Sequence, residues 1–242
     1  MDTNNTGDIK MFSPLRFIAI DIETMNLNQD QIEFESQFIK HHPNTKDEAK
    51  RAMQIQAKKN DLIKKGALTD SALIGCIGIW SQGMNPLVLH TFDFAGELEG
   101  IDHAKYKDEA TMLDEFSNVI NEGCDERTEI VVANAFFDLP KLRYAAAIRN
   151  KVAIPNAIKP YSPNPVYDVL HVAGKHFMCS SSAEYNLSLD DLAKHFGFGD
   201  KLVSGKDIPD MISRGEYKEV ITYNAIDALL TGRIYQGLTG LK

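Results

Sequence analysis

Leu15-Arg16-Phe17-Ile18-Ala19-Ile20-Asp21-Ile22-Glu23-Thr24 is the stretch from which the rest of the chain can be read. Its first six residues are almost wholly apolar, the pattern of a buried strand. They run directly into two carboxylates. Side chains two apart on a strand share a face, so Asp21 and Glu23 are expected to point together from the strand's end. Two further blocks place acids in comparable settings. Thr128 to Ala133 reads as a strand that ends at Asn134-Ala135-Phe136-Phe137-Asp138, and Tyr223 with Asp227 stands at i, i+4 on a long helix over Tyr217 to Leu238, hence on one helix face. Each block alone has an ordinary explanation: a polar strand end for Asp21 and Glu23, a helix N-cap for Asp138, a common helical pair for Tyr223 and Asp227. If folding brings the four acids together, they repel by about 4 kcal/mol per pair at 4 Å and an effective dielectric near 20. Hard divalent cations relieve such repulsion, and oxygen ligands suit magnesium or manganese. Two such ions roughly 4 Å apart cleave phosphodiesters, so a metal-dependent nuclease is the chemistry expected of this set.

Composition narrows the setting. A chain of 242 residues with 43% hydrophobic and 25% charged residues has ordinary globular proportions. Residues 1–13 are polar and aperiodic and read as a flexible tail. Residues 14–242 read as a single domain. No apolar stretch approaches the ~20 residues of a membrane span, and the N-terminus lacks an apolar signal core. Cys76, Cys124 and Cys179 are isolated from one another, so a cytoplasmic, reducing setting is expected, with no membrane partner. The net charge of −8 argues against a protein that coats duplex DNA and leaves room for an enzyme that grips a few nucleotides at a strand end.

Between the first two strands, residues 27–66 change character. They are rich in Gln, Lys, Glu and Asp, and helices are expected over Gln31 to His41 and Thr45 to Lys65, the second opened by a Thr45/Glu48 capping box. Lys46, Lys50, Arg51, Lys58, Lys59, Lys64 and Lys65 make the second helix basic, which suits either a solvated face or an arm that guides a nucleic-acid backbone. Ala72 to Trp80 and Pro86 to Phe94 read as a hairpin, Lys107 to Glu122 and Asp138 to Arg149 as helices, and the proline-rich residues 151–166 as a loop. Helices follow over Tyr167 to Phe177, Ser188 to Phe196 and Asp207 to Ser213. Strands gathered early and helices later predict an α/β protein, a mixed sheet flanked by helices. His171, His176 and His195 suit packing or surface positions, Trp80, Phe136 and Phe137 suit the core, and Asp168 suits a helix cap or a support for the acidic set.

The three blocks together resemble the DnaQ-like 3′–5′ exonucleases of the ribonuclease H-like superfamily. Asp21-Ile22-Glu23-Thr24 is similar to their first motif, Asn134-x-x-Phe137-Asp138 to the second and Tyr223-x-x-x-Asp227 to the third. The tyrosine-containing DEDDy subgroup fits better than its histidine sister, which would need His where Thr222 stands. The stretch Leu187 to Asp227 resembles exonucleases related to the proofreading domain of family-B DNA polymerases, and the likeness extends over residues 15 to 238. It implies a five-stranded ribonuclease H-like sheet, with the helical insert between strands 1 and 2 as a departure. Asn224 and Ile226 also depart, standing where relatives often have Cys and Glu.

The resemblance implies roles as well. Asp21, Glu23, Asp138 and Asp227 would hold two Mg2+ or Mn2+ ions, Asp21 bridging them and Asp138 supporting the second. Tyr223 would aim the attacking water. Asn134, Phe137, Thr24 and Lys206 are the candidate substrate contacts. The expected substrate is the 3′ end of single-stranded DNA, shortened to nucleoside 5′-monophosphates by an enzyme acting alone or with a polymerase or replication partner in trans. An exoribonuclease of the same chemistry is the alternative, because discriminating RNA rests on contacts near the 2′-hydroxyl. An inactive nucleic-acid-binding module on the same fold is less favoured, since all four acids and the tyrosine are present.

Overall fold

The computed structural model describes residues 15–176, 187–199 and 204–241, so the expected N-terminal tail, Phe177 and Cys179 lie outside the described residues. The stretch quoted above becomes the central strand β1 (Phe17–Thr24). It pairs antiparallel with β2 (Ile74–Trp80) and parallel with β5 (Glu129–Val132). Outward from β2 come β3 (Leu87–His90), antiparallel to it, and β4 (Asp102–Lys105), parallel to β3. Outward from β5 comes β6 (Val166–Asp168), again parallel. The order is β4-β3-β2-β1-β5-β6. The sheet is therefore mixed, as expected, but has six strands rather than five. β4 is an exposed, charged edge whose sequence, Asp-His-Ala-Lys, carries no apolar alternation. β6 is three residues long at the end of the proline-rich loop, within a stretch read as loop passing into helix. Strands this short are set by the neighbour they pair with rather than by their own pattern.

Alternation along β1 divides the protein into layers. Ile18, Ile20 and Ile22 face α3 (Glu109–Gly123) and pack with Met112, Leu113, Phe116 and Ile120. α3 is N-capped by Asp108, whose side chain accepts from the Thr111 N–H. Phe17 and Ala19 face the other way, toward the last helix α8 (Tyr217–Thr239), and pack with Ala228, Ile234 and Tyr235. That layer also receives α5 (Val169–His176) and α6 (Leu189–His195), the latter opened by a Ser188/Asp191 capping box. A third cluster joins Cys76, Val88 and Phe92 to α7 (Ile208–Arg214) and the first turns of α8. By the same alternation Asp21 and Glu23 belong to the α8 face.

Two glycines let α8 lie close to the sheet. A methyl group at Gly78 would stand 2.6 Å from the Asn224 carbonyl oxygen, and one at Gly232 would stand 2.3 Å from the Trp80 ring. Trp80 belongs to the core, tilted against Phe17 with its indole N–H bonded to the Met84 carbonyl.

The insert is helical, with shifted boundaries. α1 (Gln29–Ser36) is capped by Asn28 in a capping box with Gln31, and α2 (Glu48–Lys65) is capped by Asp47 rather than Thr45. Asp47 sits where its carboxylate accepts from the Lys50 N–H, while the Thr45 hydroxyl turns to Gln54. The return of the insert, residues 69–72, is fastened from two sides. Gln31 Nε2 donates to the Ser71 carbonyl at 2.6 Å, and Ser71 Oγ donates to Glu35. From the other side Lys141 Nζ donates to the Thr69 carbonyl, and Arg149 donates to the Asp70 and Ala72 carbonyls at 2.7 and 2.9 Å.

The helix expected over Asp138 to Arg149 divides accordingly. α4 (Asp138–Arg143) passes into a wide, π-helical run, Tyr144–Asn150, that ends at Lys151 in the left-handed region with φ 56°. The wide run carries Arg149 and Asn150 onto the buried carboxylate of Glu109. Among the described residues no helix is long and apolar enough to cross a membrane.

Candidate metal centre

Asp21, Glu23 and Asp227 meet where the end of β1 lies under α8. Each offers a carboxylate oxygen, and the three oxygens lie within 4.8 Å of one another. Asp21 and Asp227 are buried and Glu23 is half-buried. At this spacing each charged pair opposes folding by roughly 3 kcal/mol at an effective dielectric near 20. The set is all oxygen and rich in negative charge, so it could bind a metal ion. Hard divalent cations suit such a donor set.

The surrounding contacts orient these acids. Asn224, on the α8 turn between Tyr223 and Asp227, donates its side-chain amide to Asp21 Oδ2 at 2.8 Å. Gly78, opposite Asp21 in the β1–β2 register, provides the space that lets Asn224 approach. Sequence reasoning assigned Asn224 no part in the site; its only signal was its place on the helical face adjoining Tyr223 and Asp227. Cys76, paired with Glu23, is fully buried, and burial together with Glu23 and Asp21 pushes its thiol well above the usual range. It stays a neutral thiol beside the carboxylates.

Tyr223 is buried one helical turn before Asp227 and hydrogen-bonds to it. Burial first, then the charges of Asp227, Glu23 and Asp21, raise its phenol far above its usual range. In the metal-free protein the hydroxyl therefore favours its protonated form. The turn at Gly205–Asp207 comes up against it: a methyl group at Gly205 would stand 3.1 Å from the Tyr223 hydroxyl. Lys206 follows in that turn and is exposed.

Asp138 does not join the cluster of three, yet it lies near enough for the charge of Asp227 to act on it. It is buried at the start of α4, and its Oδ2 accepts from the Asn134 N–H at 3.3 Å. Burial pushes its carboxyl up to about 8; the Asn134 N–H works against this, and Asp168 and Asp227 add to it. Asp168 both caps and supports. Its Oδ1 accepts from the His171 N–H at 2.8 Å, and its Oδ2 accepts from the Ala135 N–H at 2.8 Å, across the gap between β6 and the turn that presents Asp138.

The other expected contacts separate. Asn134 is exposed, and its carbonyl accepts from the Phe137 and Asp138 N–H groups. Phe137 is half-buried against the α3-side core. Phe136, expected in the core, is 84% exposed, because the turn that buries Phe137 and Asp138 leaves the residue before them facing out. Thr24 is buried, and its hydroxyl donates to the Ala67 carbonyl at 2.7 Å, tying the end of β1 to the end of the insert. His171 and His195 are exposed. No protein-family model matches the chain, and no curated protein is significantly similar to it.

Proposed function

We propose that the chain is a divalent-metal-dependent 3′–5′ exonuclease of the DEDDy type that shortens single-stranded DNA. The observation that carries this reading is the meeting of Asp21, Glu23 and Asp227 from opposite ends of the sequence, with Tyr223 hydrogen-bonded to Asp227 beside them. The mixed sheet with helices on both faces supports a ribonuclease H-like assignment. Asp21, Glu23 and Asp227 would hold one Mg2+ or Mn2+, and Asp138 would support a second. Bound there, the ions supply a water of lowered pKa and neutralise charge building on the phosphoryl group.

The protein's own groups do the rest. Asn224 fixes the orientation of Asp21, and Asp168 fixes the turn that presents Asp138. Tyr223, beside Asp227, would hydrogen-bond to the attacking water and aim it. In this reading water adds to the phosphorus of the last phosphodiester, the bond from that phosphorus to the 3′-oxygen of the penultimate nucleotide breaks, and the departing oxygen takes up a proton, leaving the terminal nucleoside 5′-monophosphate and a new 3′-hydroxyl on the shortened strand.

The test is a time course on 5′-labelled DNA and matched RNA, single- and double-stranded, with Mg2+ or Mn2+. A ladder shrinking from the 3′ end, fastest on single-stranded DNA and abolished by chelation, is expected. Intact strands under every condition, or internal cuts alone, would overturn the proposal, and a faster ladder on RNA would reassign the substrate.

A further inference from the structure

Phe136 sits between two residues that the fold puts to use. Ala135 before it gives its N–H to Asp168, and Phe137 after it packs into the core. The turn is tied throughout: the Phe137 and Asp138 N–H groups both donate to the Asn134 carbonyl at 3.0 Å, and the Asn134 N–H donates to Asp138 Oδ2. A bare phenyl ring, 84% exposed, thus stands on a pinned turn two residues before a buried carboxylate that senses Asp227. Its exposure does not come from a loose segment. The backbone that carries the ring is held in place, two residues from Asp138.

The charge of the molecule gives such a ring a purpose. At net −8, with acids gathered at the site, the chain as a whole offers little electrostatic attraction to a polyanion. Stacking on an aromatic face works without charge and accepts any base. We propose that Phe136 is a stacking platform for an unpaired base next to the scissile end, and so a determinant of preference for single strands. A duplex end keeps its bases paired and stacked within the helix, and would have to open before reaching the ring. The inference rests on the exonuclease reading.

The test compares steady-state cleavage of oligothymidylate by wild type, Phe136→Ala and Phe136→Trp. Tyr161→Ala serves as a control, a fully exposed aromatic on the loop that flanks a cleft with the last turn of α3. Cleavage by the wild type is scored first and judges the exonuclease reading; if it fails, this inference falls with it. Given cleavage, Phe136→Ala is expected to raise KM about ten- to a hundredfold, the span of one lost base–aromatic stack. kcat should stay within about twofold, Phe136→Trp should restore KM and Tyr161→Ala should change nothing. On a strand whose last three nucleotides are abasic, wild type and Phe136→Ala should become equal. An unchanged KM in Phe136→Ala, or an equal loss on the abasic strand, would overturn the stacking role while leaving the nuclease intact. The melting temperature of each variant, measured alongside, separates loss of contact from loss of fold.

Discussion

Asp227 is where the opposing forces in this molecule meet. It is buried, close to two other carboxylates and bonded to Tyr223, so it costs stability in the metal-free chain and is needed once a cation is present. Asp227→Asn keeps the shape and a hydrogen-bonding oxygen while removing one charge. The metal-free variant is expected to be more stable than wild type by roughly 1–3 kcal/mol, read by urea unfolding, and to lose all cleavage. A variant less stable than wild type in chelator would mean that the three acids do not repel as described. His90 tests the same reasoning on a different part of the sheet. It is buried, its Nε2 meets His103 Nδ1 at 3.1 Å, and burial followed by the His103 charge lowers its pKa from 6.5 to about 4. Because the folded value lies below the unfolded one, the unfolded chain takes up the proton first. The stability this contributes is present above pH 6.5 and is lost as pH falls toward 4, by roughly 3 kcal/mol in all. His90→Gln should flatten the fall in unfolding free energy between pH 6.5 and 4 relative to wild type; parallel curves would show that His90 titrates normally.

At the scale of elements, the site depends on how closely α8 lies on β1 and β2. Gly78 sets that distance, since any β-carbon there meets the backbone of Asn224. Gly78→Ala must push the helix outward or distort it, at a cost of about 1–3 kcal/mol, and carries Asn224 and Asp227 away from Asp21. Loss of Mg2+ or Mn2+ binding out of proportion to the loss of stability is expected, measured by titration calorimetry. Full metal affinity in a folded Gly78→Ala protein would break the link between helix seating and the acidic cluster. The insert is attached differently. Its return is held by Lys141 and Arg149 from α4 and the wide run after it, and by α1 through Ser71, so the return ties α1 to the segment that begins with Asp138. α2 carries six basic residues against two acidic ones, a local reversal of the chain's overall charge.

The whole molecule balances a large apolar core against a destabilised acidic centre. Three apolar clusters cover both faces of the six-stranded sheet, and that core holds the carboxylates together against their repulsion. A ligand that binds only the folded state stabilises it by about 2.7 kcal/mol at one hundred times its dissociation constant. In a protein of this size that is a rise in melting temperature of roughly 5–10 °C. Saturating Mn2+ or Mg2+ should produce such a rise in the wild type and a much smaller one in Asp227→Asn, by calorimetry and independently of any activity. Equal shifts in the two proteins would place the bound metal elsewhere.

How much of this was legible in the chain differs from feature to feature. The alternation of Phe17 to Glu23 was enough to predict a buried strand with two carboxylates on one face, and the spacing of Tyr223 and Asp227 was enough to put both on one side of a helix. These are local periodicities, fixed by the geometry of strand and helix. The edge strands β4 and β6 were not legible, because three or four residues carry no period and their extended form comes from hydrogen bonds to β3 and β5. Nor were the hydrogen bond from Asn224 to Asp21, the offset of Asp138 from the other three acids, or the exposure of Phe136. The sequence alone determined which side chains share a face of their own element. Which faces meet, how closely, and which residue a turn leaves in solvent were decided only by packing between distant segments, because contact and burial belong to the assembled layers rather than to any run of residues.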